Sequence, residues 1–280
     1  MKPIKTSAPG KLMLFGDHAA AYDQPCLVMA VNKMMTVELV KNKPPESKFV
    51  LAVRQLWEQK YGQVPLGFKI SGFSSQYGLG SSAAVTVAAV KALGQYHQVK
   101  LSQKQLFEFC YRVIRKVQAV GSGFDLAAAI YGGVLYFVTG GQKIEKLTVK
   151  QLPLVVGYSG TKADTTKMIK KASPKINQAF LLESTKIVNQ AKMALEQENW
   201  QELGKLMNQN QVALRQLGVS TSKLEKLISV ALKAGAYGAK LSGAGGGDCM
   251  IALASMAKRA AVEQAISQAG GEVIRVKLNL

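Results

Sequence analysis

Three observations predict an α+β fold in two lobes. Strand-like and helix-like segments mix through the first half of the chain without the strict strand–helix–strand rhythm of a parallel sheet. Residues 161–235 read as helices alone, and a strand, a glycine loop, a strand, a helix and a final strand follow them. The 280 residues, 48% of them apolar and 19% charged, suffice to bury a core in one large domain or two moderate ones. We divide them into an N-terminal lobe over 1–148 and a C-terminal lobe over 149–280.

Taken in order, "KLMLFG" is a short apolar strand after the turn-like "APG", and "CLVMAVNKMMTVELV" holds two β-rich stretches around a bend at Asn32 and Lys33. "KNKPPESK" is a polar loop. "KFVLAVRQLWEQKYG" has helical apolar spacing and stops at a glycine, and "GFKISGF" alternates as a strand. A helix is predicted from Ser81 to about Tyr96. A second starts at Ser102, where Gln105 completes a capping box, and runs to about Val117. "GSGFDLAAAIYGG" is a short helix bracketed by glycines. "VLYFVTGG" and "LPLVVGYSG" are strands. The helices of 161–235 are divided at Pro174, Gly204 and Gly218, and "EVIRVKLNL" is a closing strand.

Composition excludes several classes. No apolar run reaches the roughly 18 residues of a membrane span, and the N-terminus lacks a signal-peptide cleavage pattern. Cys26, Cys110 and Cys249 are far apart and form no CxxC pair, which suits free thiols in a reducing cytoplasm. Two histidines, His18 and His97, exclude a histidine-rich metal site. The net charge of +19 admits a nucleic-acid surface or a basic surface that steers small anions. The lysines are scattered and no dense basic block, aromatic RNA signature or zinc finger is present, which favours the second.

Four stretches carry chemistry. "YGLGSSAAVTVAAVKAL" sends a glycine turn into a small-residue helix, where unpaired N–H groups and the helix dipole favour an anion. Gly78 and Gly80 allow close backbone approach to a phosphate, and Ser81 and Ser82 add hydroxyls able to ligate Mg²⁺. Without a Gly-Lys-Ser/Thr ending it is not a Walker A loop, and an ordinary serine N-cap would look similar. In "GSGFD", Asp125 could cap its helix or accept a proton from a substrate hydroxyl. "SGAGGGDC" places four glycines in the five positions 243–247, which suits a bound ligand pressing on bare backbone, or a tight hairpin. "APGKLMLFGDHAAAYDQPCLV" gathers Lys11, Asp17 and His18 around a further turn, and Lys11 could partner a phosphoryl group.

The ordered set "PGKLMLFGDHAAAYDQP", "GLGSSAA", "GSGFD" and "KLSGAGGGD" resembles the GHMP kinase superfamily, which includes galactokinase, homoserine kinase, mevalonate kinase and phosphomevalonate kinase. The resemblance implies a two-lobed α+β kinase with its active site between the lobes. It implies ATP and Mg²⁺ as cofactors, and a phosphotransferase acting on an alcohol. Gly78, Leu79, Gly80, Ser81, Ser82 and Ala83 match the phosphate loop, with Ser81 and Ser82 at the metal. Asp125 and Lys11 match the pair at the accepting hydroxyl. Gly243, Ala244, Gly245 and Gly246 match the third motif, which shapes the cleft. Asp17, His18, Ser159, Thr161 and Lys162 resemble the acceptor side. The N-terminal motif resembles the mevalonate kinase version, FGEHAVVYGxP, with Asp17 in place of Glu, while the glycine motifs look closer to phosphomevalonate kinase. Phosphorylation of the 5-hydroxyl of mevalonate in isoprenoid precursor synthesis is the leading expectation, phosphomevalonate the second acceptor, and nucleic-acid binding the alternative of another class. The expected partners are ATP and a small acceptor, with no membrane; a homodimer stays open. One departure is clear: many mevalonate kinases carry a metal-supporting glutamate on the helix before the Asp motif, and that helix offers only Glu108 here.

Overall fold

β1 (Lys5–Phe15) and β2 (Cys26–Val40) form a long antiparallel ribbon, and the first sheet is built on it. The computed structural model describes residues 3–42, 44–118 and 121–280. The polar loop expected at "KNKPPESK" contains Lys43, which lies outside the described residues, as do Met1 and Lys2 of the N-terminal stretch. β2 is one strand, not two. The pairing jumps from Pro9↔Met34 to Gly10↔Val31, so Asn32 and Lys33 bulge out of a continuous strand. The same bulge puts "APG" inside β1 instead of before it. β3 (Gly67–Gly72) and β4 (Val134–Val138) pair with different halves of β2, and β5 (Lys143–Leu147) pairs with β4, all antiparallel. β5 was not expected.

The helices of this half cover the sheet. α1 (Lys48–Tyr61) starts at Ser47, whose hydroxyl accepts from Val50 N–H, and buries Trp57 completely. α2 (Ser81–Tyr96) is buried all round from Ala83 to Gly94 except at Lys91. A helix apolar on every side belongs inside a core, and its alanines let it approach β1 and β2 closely. α3 (Gln103–Gln118) begins with the expected capping box: Gln105 N–H donates to Ser102 Oγ and Ser102 N–H to Gln105 Oε1. α4 (Phe124–Tyr131) packs its alanines against β1 and α2.

The second sheet has the order β7 (Gly238–Ser242), β8 (Cys249–Leu253), β6 (Leu154–Tyr158), β9 (Glu272–Ile274). α5 (Thr165–Ala172), α6 (Gln178–Glu196), α7 (Trp200–Gln216), α8 (Ser222–Lys233) and α9 (Met256–Gln268) surround it. Gly204 does not divide helices; it lies inside α7. A Cβ there would strike the backbone of Tyr237, and one at Gly238 would strike Gly204, so the two glycines let α7 lie directly on β7. The closing strand is also shorter than expected. After β9 the chain leaves the second sheet for the first, where Asn32 N–H donates to Lys277 O and Asn279 N–H to Ala30 O. That crossing ties the C-terminus onto the bulge of β2.

Candidate active site

The phosphate-loop motif sits at the start of α2, against β1. Gly78 and Gly80 have φ of 69° and 74°, the left-handed region that glycine adopts without strain. The N–H groups of residues 78–83 donate to no other described residue, so the turn and the first helical residues offer a row of unpaired amides. Ser81 and Ser82 are half-buried with hydroxyls free of described partners.

β1 holds Lys11 to this loop. Its backbone N–H donates to Leu79 O at 2.9 Å, and its Nζ donates to Gly78 O at 3.3 Å. The same ammonium lies 3.5 Å from Asp125 Oδ1 and 5.3 Å from the centre of the Phe124 ring. Lys11 therefore stands between the phosphate loop and the start of α4, joining two motifs 45 positions apart. Asp125 Oδ1 is buried and has no hydrogen-bond partner, although its residue keeps about a third of its side-chain exposure at 35%. Oδ1 faces the Lys11 ammonium from the buried side, and the exposed remainder of the carboxylate is the part that a hydroxyl can reach.

The third glycine motif closes the other wall. Asp248, which the sequence reading did not single out, is its last residue and adopts φ 54°. Its Oδ1 accepts from Ala163 N–H at 2.9 Å, its N–H donates to Thr161 O, and its carbonyl accepts from Ser159 N–H. A Cβ at Gly78 would collide with Asp248 Oδ2, so this carboxylate fits against the phosphate loop only because residue 78 is glycine. Burial raises the Asp248 pKa, opposed by the Ala163 amide and the charges of Lys11 and Lys162. The one signal in the sequence was an aspartate directly after four glycines in five residues.

The expected acceptor residues divide. Ser159 is buried, and its hydroxyl links to Thr161 within their own turn. Lys162 Nζ donates to Ser75 O at 2.6 Å, strapping the C-terminal lobe to the lead-in of the phosphate loop. Asp17 is corrected: it does not face a substrate. It is 1% exposed, with Oδ2 taking Lys240 Nζ at 2.7 Å and Oδ1 taking Gly243 N–H at 2.7 Å. Both oxygens are engaged because the turn after β1 is buried under the third glycine loop. Lys240, 0% exposed, was missed; a lysine amid the apolar residues of "YGAKLSG" was its only trace. His18 Nε2–H donates to Ala244 O at 3.0 Å. Burial lowers its pKa, aided by Lys240 and opposed by that hydrogen bond and by Asp17. Cys26, Cys110 and Cys249 are all buried free thiols, and burial raises their pKa values. Among the described residues no helix is long and apolar enough to cross a membrane.

Residues 48–133 match the GHMP kinases N terminal domain, and residues 191–272 match GHMP kinases C terminal. The chain is 32% identical to the mevalonate kinase of Thermococcus sibiricus over 99% of this chain and 96% of that protein. It is 33% identical to the mevalonate kinase of Pyrococcus horikoshii, over 97% and 94%. Among solved structures it resembles L. major mevalonate kinase in complex with R-mevalonate, with a TM-score of 0.84 and 26% identity over 98% of this chain and 95% of that one. It also shares the fold of Streptococcus pneumoniae phosphomevalonate kinase, with a TM-score of 0.86 and 22% identity over 99% of each. The four motifs, the two-lobed α+β architecture and these likenesses agree: the chain belongs to the GHMP kinase family.

Proposed function

We propose that this chain is an ATP-dependent mevalonate kinase that phosphorylates the 5-hydroxyl of its acceptor. The observation that carries the phosphotransfer reading is Lys11, whose ammonium spans Gly78 O on the phosphate loop and Asp125 Oδ1 on the other side. The choice of mevalonate follows the relatives with that name, which match over nearly the whole chain at 32–33% identity.

The unpaired amides of residues 78–83 hold the phosphates of ATP at the start of α2. Phosphoryl transfer needs positioning and charge neutralisation more than covalent chemistry. Lys11 orients the accepting hydroxyl and offsets the negative charge that develops on it. Asp125 accepts the proton of that hydroxyl on the accessible part of its carboxylate, whose side chain is 35% exposed, while the buried Oδ1 faces Lys11. The Ser81 and Ser82 hydroxyls would hold Mg²⁺, which neutralises phosphate charge when bound. Mg²⁺ commonly keeps several waters and takes its remaining ligands from the phosphates, so an ordered protein cage is not required. Lys162 has two of its three donors available beyond Ser75 O, and these suit an acceptor carboxylate. Asp17 acts from behind the cleft wall.

A coupled ADP-release assay with mevalonate, 5-phosphomevalonate, homoserine and galactose tests the reading. Turnover with mevalonate at least about tenfold above the other three is expected, since a site that binds a phosphate or a sugar ring differs by several polar contacts. Preference for 5-phosphomevalonate would reassign the acceptor and keep the reaction. No ADP release with any acceptor, together with strongly salt-dependent RNA or DNA binding, would replace the kinase by a nucleic-acid binder.

A further inference from the structure

The buried pair Asp17–Lys240 has no place in the chemistry above, yet it occupies the join between the lobes. The residues are 223 positions apart, at 1% and 0% exposure, and their side chains meet at 2.7 Å. An ion pair in the interior is poor value as stability alone, because desolvating both charges offsets most of their attraction. Its geometry is more informative. The second carboxylate oxygen of Asp17 receives Gly243 N–H at 2.7 Å, a short charge-assisted bond to the first residue of the third glycine loop. The next residue of each segment repeats the contact, with His18 Nε2–H on Ala244 O, and Ser242 Oγ donates to Met13 O at 2.8 Å. The end of β1 and the turn after it thus grip residues 242–244 from the opposite lobe.

The grip leaves a particular set of groups unengaged. A Cβ at Gly243 would meet nothing within 4 Å, so this end of the loop borders open space. The N–H groups of Ala244, Gly245 and Gly247 donate to no other described residue. Asp248, at the far end of the loop, fits against Gly78. The loop is therefore fastened at one end by Asp17 and touches the phosphate loop at the other.

We propose that Asp17 and Lys240 are positioning residues: Lys240 holds the Asp17 carboxylate in place, and Asp17 sets the third glycine loop by its bond to Gly243 N–H, so that this loop abuts the phosphate loop in the geometry nucleotide binding requires. The proposal rests on the kinase reading and adds to it that the pair serves the nucleotide side of the cleft, not the acceptor side.

Two double variants separate this role from stability. Asp17→Leu/Lys240→Met removes both charges and the acceptor of Gly243 N–H. Asp17→Asn/Lys240→Met removes both charges and keeps an oxygen for that amide. Because neither leaves one charge buried alone, both are expected to fold, with Tm within about 5 °C of the unmodified protein. The leucine variant should lose about 10- to 100-fold in kcat/KM for ATP, the scale of a displacement of about 1 Å in a reacting site. Its KM for mevalonate should change by less than about threefold. The asparagine variant should recover most of the loss. Unchanged kcat/KM for ATP in the leucine variant would overturn the proposal. So would an equal rise in the mevalonate KM, or an asparagine variant as impaired as the leucine one. Amide hydrogen exchange of the unmodified protein decides the matter if the leucine variant does not fold: Gly243 N–H should be protected like the amides of β7, and exchange at the rate of an open loop would overturn the assignment. The exchange measurement also stands if the unmodified protein turns over no acceptor, an outcome that would count against the kinase reading and not against the bond from Asp17.

Discussion

The two glycine loops of the cleft are alike in composition and opposite in how they are held. At residues 78–80 the neighbours are charged side chains: Lys11 packs under Gly80, with Cγ 3.0 Å from where a Cβ would stand, and Asp248 fits against Gly78. At residues 243–247 the neighbours are scaffold. A Cβ at Gly245 would strike Val219 O, one at Gly246 would lie 2.5 Å from Met168 Sδ, and one at Gly247 would lie 2.5 Å from Thr161 O. Both loops leave amides unpaired, at 78–83 and at 244, 245 and 247; the first is braced by side chains, whereas the second is wedged against Val219 O, Met168 and Thr161 O and pinned by Asp17. Glycine richness alone therefore does not identify a phosphate cradle. The distinction lies in whose atoms occupy the space that a Cβ would fill.

The contrast can be broken most severely at the chemical centre. Asp125→Ala should lower kcat by about two to four orders of magnitude with KM for ATP little changed, because the amides of residues 78–83 are untouched. Steady-state kinetics check this, and near-normal turnover would remove Asp125 from the reaction. The scaffold side should instead show its effect in stability. Lys240→Met leaves the Asp17 carboxylate buried without its cation and should destabilise the protein by about 3–5 kcal/mol in urea unfolding.

Within the third loop, two glycines separate strain from collision. Gly243→Ala has open space and should cost about 1 kcal/mol for its φ of 98° alone. Gly245→Ala adds a clash with Val219 O to the same strain, so it should cost at least about 2 kcal/mol. Equal costs, measured by chemical denaturation, would show that the loop gives way and is not wedged.

The smallest effect concerns His18. Burial sets its pKa below the ordinary 6.5 in the folded state, so the unfolded chain binds more protons below pH 6.5. Its contribution to stability is fully present above pH 6.5 and is lost as the pH falls through the folded pKa. His18→Gln keeps a donor for Ala244 O and should flatten the decline in stability as the pH falls below 6.5, read by urea titrations at each pH. Asp17 and Lys240 face the same ring, so the comparison is made against the unmodified protein at each pH.

Much of this fold was legible. The span of α2, the capping box of α3 and the glycine-bracketed α4 follow from near neighbours in the chain. The misjudged places share one cause. Asn32 and Lys33 read as a bend because the bulge that absorbs them is defined by pairing with β1 and by the returning C-terminus. Gly204 read as a helix boundary because its fit against Gly238 depends on a strand 34 residues later. At the cleft, Lys11 and Asp125 were readable as chemically apt residues, and the structure brings them to 3.5 Å. Asp17 looked equally apt, and nothing local distinguished it from a substrate ligand.

By itself the sequence determined the mixed α+β character, the glycine-rich turn that opens α2 and the chemical types available to a cleft, because periodicity, capping and turn chemistry act over a few residues. Only the tertiary structure decided that Asp17 turns inward to Lys240, that Asp248 fits against Gly78 and that the C-terminus returns to β2. Those pairings join residues 150 to 250 positions apart. They are set by which surfaces can be buried together, a property that no short stretch of the chain carries.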